Sequence, residues 1–566
     1  MISDLVTTLL HKRGITDTDA IGKFLKPDFV RDVHDPFLLH DMERAVARVF
    51  AAMESQEKIA IYSDFDCDGI PGASVLSDFF AKIGYSNIEV YIPHRDREGY
   101  GFHTGAIDEL KTRGASLIIT VDVGGAAVES VAHANSLGID VIICDHHEVT
   151  TILPAALAVV NPKLPSTSSG QAAYPFKDLC GAAVAWKLVC ALLVEGRKRG
   201  LPAFSAIPEG WEKWLLDLVA IATVADLVPL VGENRALAHF GLTVLRKSPR
   251  LGIRALCAKT RLRQFEITED DIGFSIAPRI NAASRMDEPE IAFKLLTTKD
   301  ADEAEACAAH LESLNRKRRG VVAAIVREAR SRIKARFGAG EKVIVLGDVE
   351  WKPALMGLAA NSIMEDRGGV VLMWGRDANG KLKGSARSDG SLSVVELFTK
   401  AGDAFEEFGG HHASGGFSVS HDSVHTLHEA LTKAADELSR VRKEVVVPTT
   451  DADLSLKQVT TVLLRDLSSL APFGMGNPKP LFRVRNTRIT FARQFGKDMN
   501  HTEVTIVCPE SGVQQRAFQF FRTPMDFTVA PSPGTLVDML ATIEKDSFKG
   551  PDRLALRIED ILNPRA

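Results

Sequence analysis

The residues best able to do chemistry are acidic side chains and histidines that lie at the ends of apolar runs. The set comprises Asp64, Asp66, Asp68, Asp122, Asp145, His146, His147 and Asp226. Polar groups at the carboxyl ends of parallel strands meet in one crevice, so we expect these side chains to converge. So many carboxylates would repel one another unless cations lay between them. Oxygen ligands with one or two imidazoles favour Mn²⁺ or Mg²⁺, and this much negative charge favours two ions over one.

Each part of this pattern also has a simpler explanation. A single Asp after a strand is more often a helix N-cap than a metal ligand, and a pair of histidines is more often exposed or hydrogen-bonded in a core. The spacing of Asp64, Asp66 and Asp68 also resembles the start of a calcium-binding loop, but Val75 occupies the twelfth position, where such a loop has Glu. Four separate acidic sites at predicted strand ends make a metal centre the favoured interpretation.

Length and composition predict a multidomain intracellular protein. A chain of 566 residues has room for three or four domains. The net charge of −5 argues against a general nucleic-acid coat, although a local basic channel can still bind phosphates. The seven cysteines are scattered without a Cys-x-x-Cys pair, which favours reduced thiols and speaks against structural zinc. Without a signal-peptide pattern or an apolar run of membrane-spanning length, we expect a cytoplasmic protein with no membrane association.

The segments around the candidate residues alternate between strand and helix patterns. Helical patterns such as residues 72–83 separate the strands, and a helix over 212–225 is predicted to end at Asp226. The predicted strands lie near residues 58–63, 88–93, 116–121, 140–144 and 156–160. This rhythm is typical of βαβ units in a mainly parallel sheet.

The whole chain divides into five predicted regions. Residues 1–50 have the pattern of short helices separated by prolines, and residues 51–299 contain the parallel-sheet domain. One long helical pattern covers residues 300–337, for which a solvated bundle helix is the alternative. A second α/β lobe is predicted over residues 338–445, and alternating segments over residues 450–566 favour a small β domain.

Several motifs resemble those of the DHH phosphoesterase superfamily. The segments similar to its motifs one to four are Asp64-x-Asp66-x-Asp68-Gly69, Thr120-Val-Asp122, Asp145-His146-His147 and Val224-Ala-Asp226. Further segments, spread over nearly the whole chain, resemble its RecJ family of bacterial single-strand-specific 5′→3′ DNA exonucleases. These are Ile92–Arg95, Glu98–Gly101, Gly232–Arg235, Ile276–Ala283, Gly384–Ser388, Gly409–Phe417 and Pro472–Pro478. The resemblance implies an α/β fold with a DHH-type parallel-sheet domain, a second α/β (DHHA1) lobe joined to it by the long helix, and a C-terminal OB-fold barrel.

The resemblance also implies how two metal ions are held. One ion would lie between Asp64, Asp66 and Asp122. The ligands of the other would be Asp68, Asp122, His146 and Asp226, so that Asp122 bridges the two ions. Many members of the superfamily have His where this chain has Asp64, and a carboxylate there should favour Mn²⁺ or Mg²⁺ over zinc.

Substrate-binding residues in both lobes are implied as well. His147 is expected to contact the scissile phosphate or orient its neighbour, with Asp145 supporting it, and His411 is expected to contact the same phosphate. The residues assigned to phosphate binding are Arg95, Arg279, Ser385, Arg387, Gly409 and Gly410. Taken alone, Arg95 and Arg279 would each serve as often in a structural salt bridge, and the segment around Ser385 would more often be a polar turn.

The chain departs from the family pattern at several positions, none of which is a predicted metal ligand; besides Ser414 and Gly415, in a stretch usually richer in Ala, four stand out. They are Pro71, Gly125, Lys352 and Ala354. These differences put the detailed substrate contacts in question rather than the reaction.

In the C-terminal β domain, cationic and aromatic residues are interleaved in a way that suits tracking of a single strand. They are Arg483, Arg485, Arg488, Arg493 and Lys497 with Phe482 and Phe491. The alternative is that both phenylalanines belong to the barrel core and the arginines are solvated.

The resemblance therefore implies a metal-dependent 5′→3′ exonuclease that degrades single-stranded DNA to 5′-mononucleotides in DNA repair and recombination. Its cofactors would be two divalent ions, Mn²⁺ or Mg²⁺. Its expected partners are single-stranded DNA, a single-strand-binding protein and a helicase, and we expect a monomer. One alternative is an oligoribonuclease or phosphoadenosine phosphatase of the same superfamily, but those relatives are shorter and lack the C-terminal β domain. The other is a non-catalytic replication scaffold, which would have lost the metal ligands that this chain retains.

Overall fold

The structure is a computed structural model that describes residues 3–149, 151–165, 173–338, 340–439, 450–497, 499–546 and 554–564. The chain forms two compact units. The larger contains residues 34–228 and 240–446, and the smaller contains residues 1–33, 229–239 and 447–566. The end of the predicted second lobe, residues 440–445, lies outside the described residues.

The helices and strands are numbered in chain order. The helices are α1 (Asp4–Lys12), α2 (Thr18–Leu25), α3 (Phe29–Asp32), α4 (Met42–Glu54), α5 (Gly69–Lys82), α6 (Thr104–Thr112), α7 (Val128–Ser136), α8 (Gly181–Lys198), α9 (Pro202–Ser205), α10 (Leu216–Ala225), α11 (Gly232–Leu245), α12 (Leu251–Thr260), α13 (Glu269–Asp271), α14 (Ala277–Met286), α15 (Glu290–Thr297), α16 (Ala301–Arg336), α17 (Pro353–Arg367), α18 (Val394–Lys400), α19 (Leu427–Ser439) and α20 (Thr461–Ser468). The strands are β1 (Lys58–Ser63), β2 (Ile88–Tyr91), β3 (Ala115–Val121), β4 (Asp140–Cys144), β5 (Ala158–Val160), β6 (Val343–Gly347), β7 (Val370–Arg376), β8 (Leu382–Ser388), β9 (Glu407–Gly410), β10 (Ser414–Val419), β11 (Ala452–Leu454), β12 (Phe482–Phe495), β13 (His501–Val507), β14 (Gln514–Gln519), β15 (Leu536–Lys545) and β16 (Leu554–Leu562).

The first five strands form one parallel sheet, in the order β2-β1-β3-β4-β5. Nearly every residue of β3 and β4 is buried, as expected when helices cover both faces of a parallel sheet. The carboxyl ends of all five strands share one edge, and the predicted βαβ arrangement is confirmed. Asp226 follows helix α10, so only three of the four acidic sites lie at strand ends. The helix predicted to end at Asp226 is thus observed, and the expectation of a strand end there is wrong, because an apolar run alone does not distinguish a buried helix from a strand.

The second lobe of the larger unit is built on a mixed sheet in the order β6-β7-β8-β10-β9. β6 and β7 are parallel, and the remaining pairs are antiparallel. The 36-residue helix α16 joins the two lobes and is about 54 Å long at 1.5 Å per residue. The long helix was predicted within one residue of its observed ends.

In the smaller unit, the C-terminal strands form a closed barrel. β12 pairs with both β13 and β15, and the sheet continues in the order β13-β14-β16-β15. The N-terminal segment completes the core of this unit, because Val6, Leu9 and Leu10 of α1 are buried in one cluster with Phe482. The predicted lead-in over residues 1–50 is thus divided: α1 to α3 belong to the barrel unit, whereas α4 belongs to the larger unit.

Arg235 fixes residues 229–239 to the same barrel unit. Its guanidinium is buried and donates to the carbonyl oxygens of Phe24 (2.9 Å), Leu470 (2.9 Å) and Ala471 (2.8 Å). A buried cation that satisfies several carbonyls at once is costly to remove, so Arg235 explains why residues 229–239 belong to the barrel unit although the flanking residues belong to the larger unit.

Among the helices of the described residues, none combines the length and the apolar character that crossing a membrane requires.

Candidate metal centre and anion pocket

Residues Asp64–Asp68 form the turn between β1 and α5. Asp66 Oδ1 accepts hydrogen bonds from the backbone N–H groups of Asp68 (2.7 Å) and Gly69 (3.2 Å), which folds the turn back on itself. Gly69 is required there because a Cβ would lie 2.3 Å from the carbonyl oxygen of Asp64. The turn brings three carboxylates to the carboxyl edge of the sheet.

The N-terminus of α8 packs directly against this edge. The Asp68 carboxylate accepts hydrogen bonds from the N–H groups of Gly181 (2.6 Å) and Ala182 (2.7 Å), the favourable position for an anion at a helix N-terminus. Asp122, at the end of β3, has a φ of 61°, a left-handed conformation that Asp tolerates better than most residues. A Cβ on Gly181 would lie 2.6 Å from the Asp122 Cβ. The sequence motifs gave no indication of Gly181, yet it allows α8 to approach both carboxylates.

Asp145 orients the two histidines that follow it. Its Oδ1 accepts hydrogen bonds from the His146 backbone N–H (2.8 Å) and from His147 Nδ1 (2.7 Å). Burial favours a neutral His147, but the hydrogen bond to Asp145 outweighs it and raises the pKa of His147 to about 9. Burial and the charge of His147 together lower the pKa of His146 to about 3, so the His146 imidazole is neutral and able to bind a metal ion.

The potential ligand atoms converge in overlapping groups whose members lie within 4.8 Å of one another. His146 Nε2 lies 3.1 Å from Asp122 Oδ1 and 3.7 Å from Asp226 Oδ2. The groups are Asp64–Asp66–Asp122, Asp68–His146–Asp226 and Asp122–His146–His147. All six predicted metal ligands occur in these groups, and Asp122 and His146 each belong to two of them. The bridging role predicted for Asp122 stays a prediction.

The acidic cluster holds more negative charge than its surroundings compensate. Burial, followed by neighbouring carboxylates, raises the pKa of Asp122 well above its usual value, that of Asp68 to about 6 and that of Asp226 to about 9. Asp64 Oδ1, Asp122 Oδ1 and His146 Nε2 are buried and have no hydrogen-bond partner among the described residues. Unpartnered buried oxygens with one imidazole fit divalent cations that prefer oxygen ligands.

Three arginines, Arg95, Arg285 and Arg387, have no carboxylate within ion-pair distance in the described part of the chain. The Arg95 guanidinium lies 4.7 Å from the centre of the Phe65 ring. In the sequence, Phe65 stands between Asp64 and Asp66. Arg285 Nη1 donates to the carbonyl oxygen of Ala354 (2.6 Å), across the lobes, and its buried Nε has no hydrogen-bond partner among the described residues. We call these three arginines the anion pocket.

The charges in this pocket are mutually unfavourable without an anion. Burial lowers the pKa of Arg285 far below its usual value, and the positive charges of Arg95 and Arg318 lower it further. Burial is also the main cause of the lowered pKa of Arg387, with Arg95 contributing. A buried group of like charges is costly unless a counter-ion compensates it. The arrangement therefore favours binding of an anion beside the acidic cluster.

A cavity of about 460 Å³ opens beside this pocket, between the two lobes. Tyr100 connects it to the acidic cluster, because its hydroxyl lies 3.4 Å from the carbonyl oxygen of Asp122 and 3.5 Å from His147 Nδ1. Its lining includes Phe65, Arg95, Tyr100, Ala354, Ser385, Phe408, Gly409 and Phe417. Ser385, Gly409 and Arg95 thus lie where the sequence predicted a substrate site.

Arg279, in contrast, does not line the cavity. Its Nε donates to Glu312 Oε2 (2.7 Å) and its Nη1 to the carbonyl oxygen of Ser275 (2.7 Å). Asn281 faces the acidic turn, where its Oδ1 accepts the Cys67 N–H (2.9 Å), and Arg285 lies four residues later on the same face of α14. Arg285, which the i, i+4 spacing from Asn281 could have indicated, belongs to the anion pocket, whereas Arg279 is held in an ion pair with Glu312. The phosphate contact predicted for Arg279 stays a prediction.

The loop around His411 ends strand β9. Gly410 has a φ of 149°, in the region that favours glycine, and the His411 N–H donates to the carbonyl oxygen of Ser414 (2.7 Å). The hydrogen bond from Lys163 is the main cause of the lowered pKa of Glu148, and the charge of His411 contributes. His411 therefore lies near Glu148, the residue that directly follows His147. The contact predicted between His411 and the scissile phosphate stays a prediction.

The structure explains most of the departures from the family pattern. Gly125 donates its N–H to Asp145 Oδ2 (2.8 Å), and a Cβ there would lie 2.7 Å from that oxygen. Pro71 lies in the first turn of α5, where its missing N–H is tolerated. Ala354 lines the cavity and accepts the Arg285 hydrogen bond. Nothing in the structure explains Lys352.

Most of the residues on β12 that were predicted to track a strand are engaged within the barrel. Phe482 is fully buried, and Arg483 is only 6% exposed. Arg485 and Arg493 form ion pairs with acidic neighbours. Phe482 therefore belongs to the barrel core, as the alternative had it. Phe491 is 46% exposed, and its role as a stacking residue stays a prediction.

Three family models match successive parts of the chain. Residues 58–223 match the DHH family, N-terminal domain; residues 340–441 match the DHHA1 domain; and residues 450–560 match the RecJ OB domain. The three matches follow the order of the two lobes and the barrel.

Two relatives share most of the sequence. The chain is 37% identical over 508 residues to the single-stranded-DNA-specific exonuclease RecJ of Bacillus subtilis, and 30% identical over 525 residues to the protein of that description from Haemophilus influenzae. These matches cover 89% and 91% of this chain, but they span 62% of the Bacillus protein and 89% of the Haemophilus protein.

The fold is also that of solved structures. Crystal structures of RecJ from Thermus thermophilus in complex with Mn²⁺ and with Mg²⁺ match with TM-scores of 0.80 and 0.74, both at 26% identity. The matches cover all of this chain and 76% and 75% of those chains.

Proposed function

This chain belongs to the RecJ family of single-stranded-DNA-specific exonucleases, and on that premise we propose that it degrades single-stranded DNA in the 5′→3′ direction to 5′-mononucleotides. The observation that carries the proposal is the acidic cluster, which Tyr100 joins to a cavity lined by Arg95, Ser385 and Gly409. Hydrolysis of a terminal phosphodiester needs electrophilic activation at the scissile group and cations at the terminal phosphate. The two clusters supply these needs side by side.

The acidic cluster would hold two divalent ions. The Thermus relative binds Mn²⁺ or Mg²⁺, and we assign the same ions to this chain. When bound, such ions activate water and stabilise charge on the attacking and leaving oxygens of a phosphodiester. The proposed ligands are Asp64, Asp66 and Asp122 for one ion, and Asp68, Asp122, His146 and Asp226 for the other.

The protein's own groups prepare the site for a phosphodiester. Neutral His146 offers the lone pair of its Nε2 as a ligand, as its low pKa allows. His147 is held in its cationic form by Asp145, and this places a positive charge where the scissile phosphate would lie. His411 would contact the same phosphate from the second lobe. In this arrangement Asp145 acts by positioning His147 rather than by touching the substrate.

The anion pocket would hold the terminal phosphate, which sets the direction of cleavage. Arg95, Arg285 and Arg387 offer guanidinium groups that form no ion pair with a carboxylate in the described part of the chain, and Ser385 adds a hydroxyl. The loop at Gly409-Gly410 leaves room for close approach of the substrate. A cavity of about 460 Å³ admits a group the size of one nucleotide between this pocket and the acidic cluster, so the product would be a mononucleotide.

The barrel unit and the cellular role follow from the same premise. The barrel matches the RecJ OB domain, and barrels of this kind bind single strands through base stacking and contacts to the backbone. We propose that the enzyme acts as a monomer in the cytoplasm, in DNA repair and recombination. Because duplex DNA must first be opened and free strands are coated, a helicase and a single-strand-binding protein would be its partners.

Degradation of single strands labelled at either end tests the proposal directly. A 5′ label should leave first as a mononucleotide with Mn²⁺ or Mg²⁺ present, and EDTA should abolish its release. Earlier release of a 3′ label would contradict the assigned direction. Cleavage confined to oligonucleotides of a few residues would favour the oligoribonuclease alternative, and binding without any metal-dependent cleavage would favour the scaffold.

A further inference from the structure

Arg95 differs from the other members of the anion pocket in how its side chain is held. Its guanidinium makes no hydrogen bond to the described part of the chain, whereas Arg285 and Arg387 each donate to a backbone carbonyl oxygen. The Arg95 guanidinium instead lies against the Phe65 ring. A cation–π contact constrains direction less than a hydrogen bond does. The position of Arg95 in the pocket therefore depends on its backbone.

The backbone around Arg95 forms a tight turn between β2 and α6, and the side chain of His94 closes it. His94 Nδ1 accepts hydrogen bonds from the N–H groups of Asp96 (3.1 Å) and Arg97 (3.3 Å), two and three residues later. The His94 carbonyl oxygen accepts three more, of 2.9–3.3 Å, from the N–H groups of residues 97–99. Asn, Asp, Ser and Thr side chains ordinarily accept such hydrogen bonds in turns. In this turn an imidazole takes their place.

Glu98 closes the same turn from its other end. The Glu98 carboxylate accepts the His94 N–H (2.6 Å) and the Tyr91 hydroxyl (2.8 Å), which connects the turn to the last residue of β2. His94 and Glu98 thus satisfy backbone donors reciprocally, as the two residues of a capping box do. Outside the turn, Arg97 lies 2.7 Å from Glu288. The segment that carries Arg95 is therefore fixed on both sides.

The two ring nitrogens of His94 have different surroundings. Because Nδ1 accepts two hydrogen bonds, the neutral ring carries its proton on Nε2. Nε2 lies 4.0 Å from Glu288 Oε2, which is too far for a direct hydrogen bond. Among the described residues, Arg95 and Asp96 line the cavity, but His94 does not. His94 therefore holds the turn through Nδ1 and would not touch a substrate in the cavity.

We propose that His94 is a positioning residue for the terminal phosphate: its Nδ1 holds the turn that keeps Arg95 in the anion pocket. This inference rests on the proposed function, because Arg95 is taken to bind the 5′ phosphate. A turn that only stabilised the fold would affect every substrate alike. Under the proposal, the loss of His94 weakens recognition of a phosphorylated 5′ end and leaves the metal centre unchanged.

Replacement of His94 by Asn or by Gln separates the roles of its two nitrogens. The Asn side-chain oxygen is bonded to Cγ, as His Nδ1 is, whereas the Gln oxygen lies one bond further out, as Nε2 does. We expect His94→Asn to keep the turn, and His94→Gln and His94→Ala to lose it. His133→Ala is the control for removal of a histidine, since His133 pairs with Asp108 (2.7 Å) outside the turn.

The preference for a phosphorylated end measures the position of Arg95. It is the kcat/KM for a 5′-phosphorylated thymidine dinucleotide divided by that for the 5′-hydroxyl form, both with Mn²⁺. His94→Ala and His94→Gln should lower this ratio about tenfold, mainly through a higher KM, because a displaced Arg95 loses a charge-assisted hydrogen bond to the phosphate. His94→Asn and His133→Ala should keep it. The double variant His94→Ala/Arg95→Gln should be no worse than Arg95→Gln, since His94 acts through Arg95.

Amide hydrogen exchange in the metal-free protein tests the turn without turnover. Peptides spanning residues 93–101 should exchange faster in the Ala and Gln variants than in the wild type and the Asn variant. Equal exchange in all four proteins, a preference restored by Gln but not by Asn, or additive losses in the double variant would each overturn the role of His94. A wild-type enzyme that cleaves both dinucleotides equally well would refute the terminal-phosphate pocket itself, and this role of His94 with it.

Discussion

The metal centre and the anion pocket are neighbouring clusters of opposite sign, and they are assembled in different ways. The metal centre is built from residues at strand ends and one helix end, where backbone N–H groups hold the carboxylates of Asp66, Asp68 and Asp145. The anion pocket draws Arg95, Arg285 and Arg387 from a loop, a helix and a strand of two lobes. Each cluster is unfavourable by itself, since like charges are buried together. Under the proposed function, the metal centre would govern the rate of hydrolysis, whereas the pocket would govern which end of the strand is bound.

The largest expected effect is loss of the bridging ligand in the metal centre. Asp122→Asn keeps a residue that tolerates the left-handed backbone at this position but removes the negative charge of the proposed bridging ligand, which belongs to two of the three ligand groups. We expect turnover to fall by about a thousandfold or more, because both ions would lose a ligand. Initial rates with Mn²⁺ would measure this, with circular dichroism as the control for folding. A folded variant with near-normal turnover would refute the shared metal centre.

The next largest effect is a difference in activity between variants of the two arginines of α14, Arg279 and Arg285. This difference tests the anion pocket. Arg285→Gln removes a buried cation from the pocket, whereas Arg279→Gln breaks an ion pair with Glu312 outside it. A lost charge-assisted hydrogen bond of about 1.5–3 kcal/mol corresponds to about a 10- to 150-fold lower kcat/KM for Arg285→Gln. Arg279→Gln should lose much less on short substrates.

Thermal unfolding gives the matching readout for the same pair of variants. Arg285 is buried among like charges, so its removal should leave the melting temperature unchanged or raise it while activity falls. A purely structural role would instead lower stability and activity together. If Arg279→Gln proved the more damaging variant on a dinucleotide, the assignment of Arg285 to the pocket would be wrong.

These two clusters also show how far the sequence could predict the structure. The metal centre was predictable because each ligand follows a recognisable apolar run, and the spacing of Asp64, Asp66 and Asp68 is local. Arg285 was missed because its position depends on which face of α14 meets the acidic turn, and Asn281 was the only local signal. Gly181 was missed for a similar reason, since its closeness to Asp122 arises between segments far apart in sequence.

The fold shows the same division between local and distant information. Strand and helix patterns predicted the parallel sheet and the ends of α16, because periodicity is a local property. Patterns could not show that α1 completes the core of the barrel, since Leu9 and Leu10 meet Phe482 across more than four hundred residues. A test that removes residues 450–566 would therefore also expose the apolar face of α1, so single substitutions report more clearly on the barrel.

A third prediction concerns the dependence of metal affinity on pH. In the metal-free protein the pKa of Asp68 is raised to about 6 and that of Asp226 to about 9, so these carboxyls are partly protonated near neutral pH. Metal binding requires the deprotonated form and must release those protons. Mn²⁺ affinity should therefore rise between about pH 6 and 9, by up to tenfold per pH unit for each proton released. Calorimetry in buffers of different ionisation enthalpy would count the protons released. A Mn²⁺ affinity independent of pH would contradict the raised pKa values of Asp68 and Asp226.

The smallest expected effect concerns the hydrogen bond that supports His147. A Cβ at position 125 would lie 2.7 Å from Asp145 Oδ2, so Gly125→Ala should displace the carboxylate that holds His147 Nδ1. Because that contact raises the pKa of His147 to about 9, the variant should lower this pKa towards the usual value near 6.5. Histidine titration by NMR in the metal-free protein would measure the shift.

The sign of the linked stability change follows from the same pKa. The ion pair stabilises the folded protein fully below about pH 6.5, and this contribution is lost as the pH rises through about 9. Gly125→Ala should therefore destabilise the protein mainly below about pH 9 and reduce turnover only severalfold, because His147 supports the scissile phosphate while the ligand His146 stays in place. Gly105→Ala, on α6, is the matched control, since a Cβ there meets no atom within 4 Å. If the two alanine variants gave the same His147 titration, the position of Asp145 would not depend on Gly125. The presence of Gly125 in place of the family's usual residue would then have no role in the metal centre.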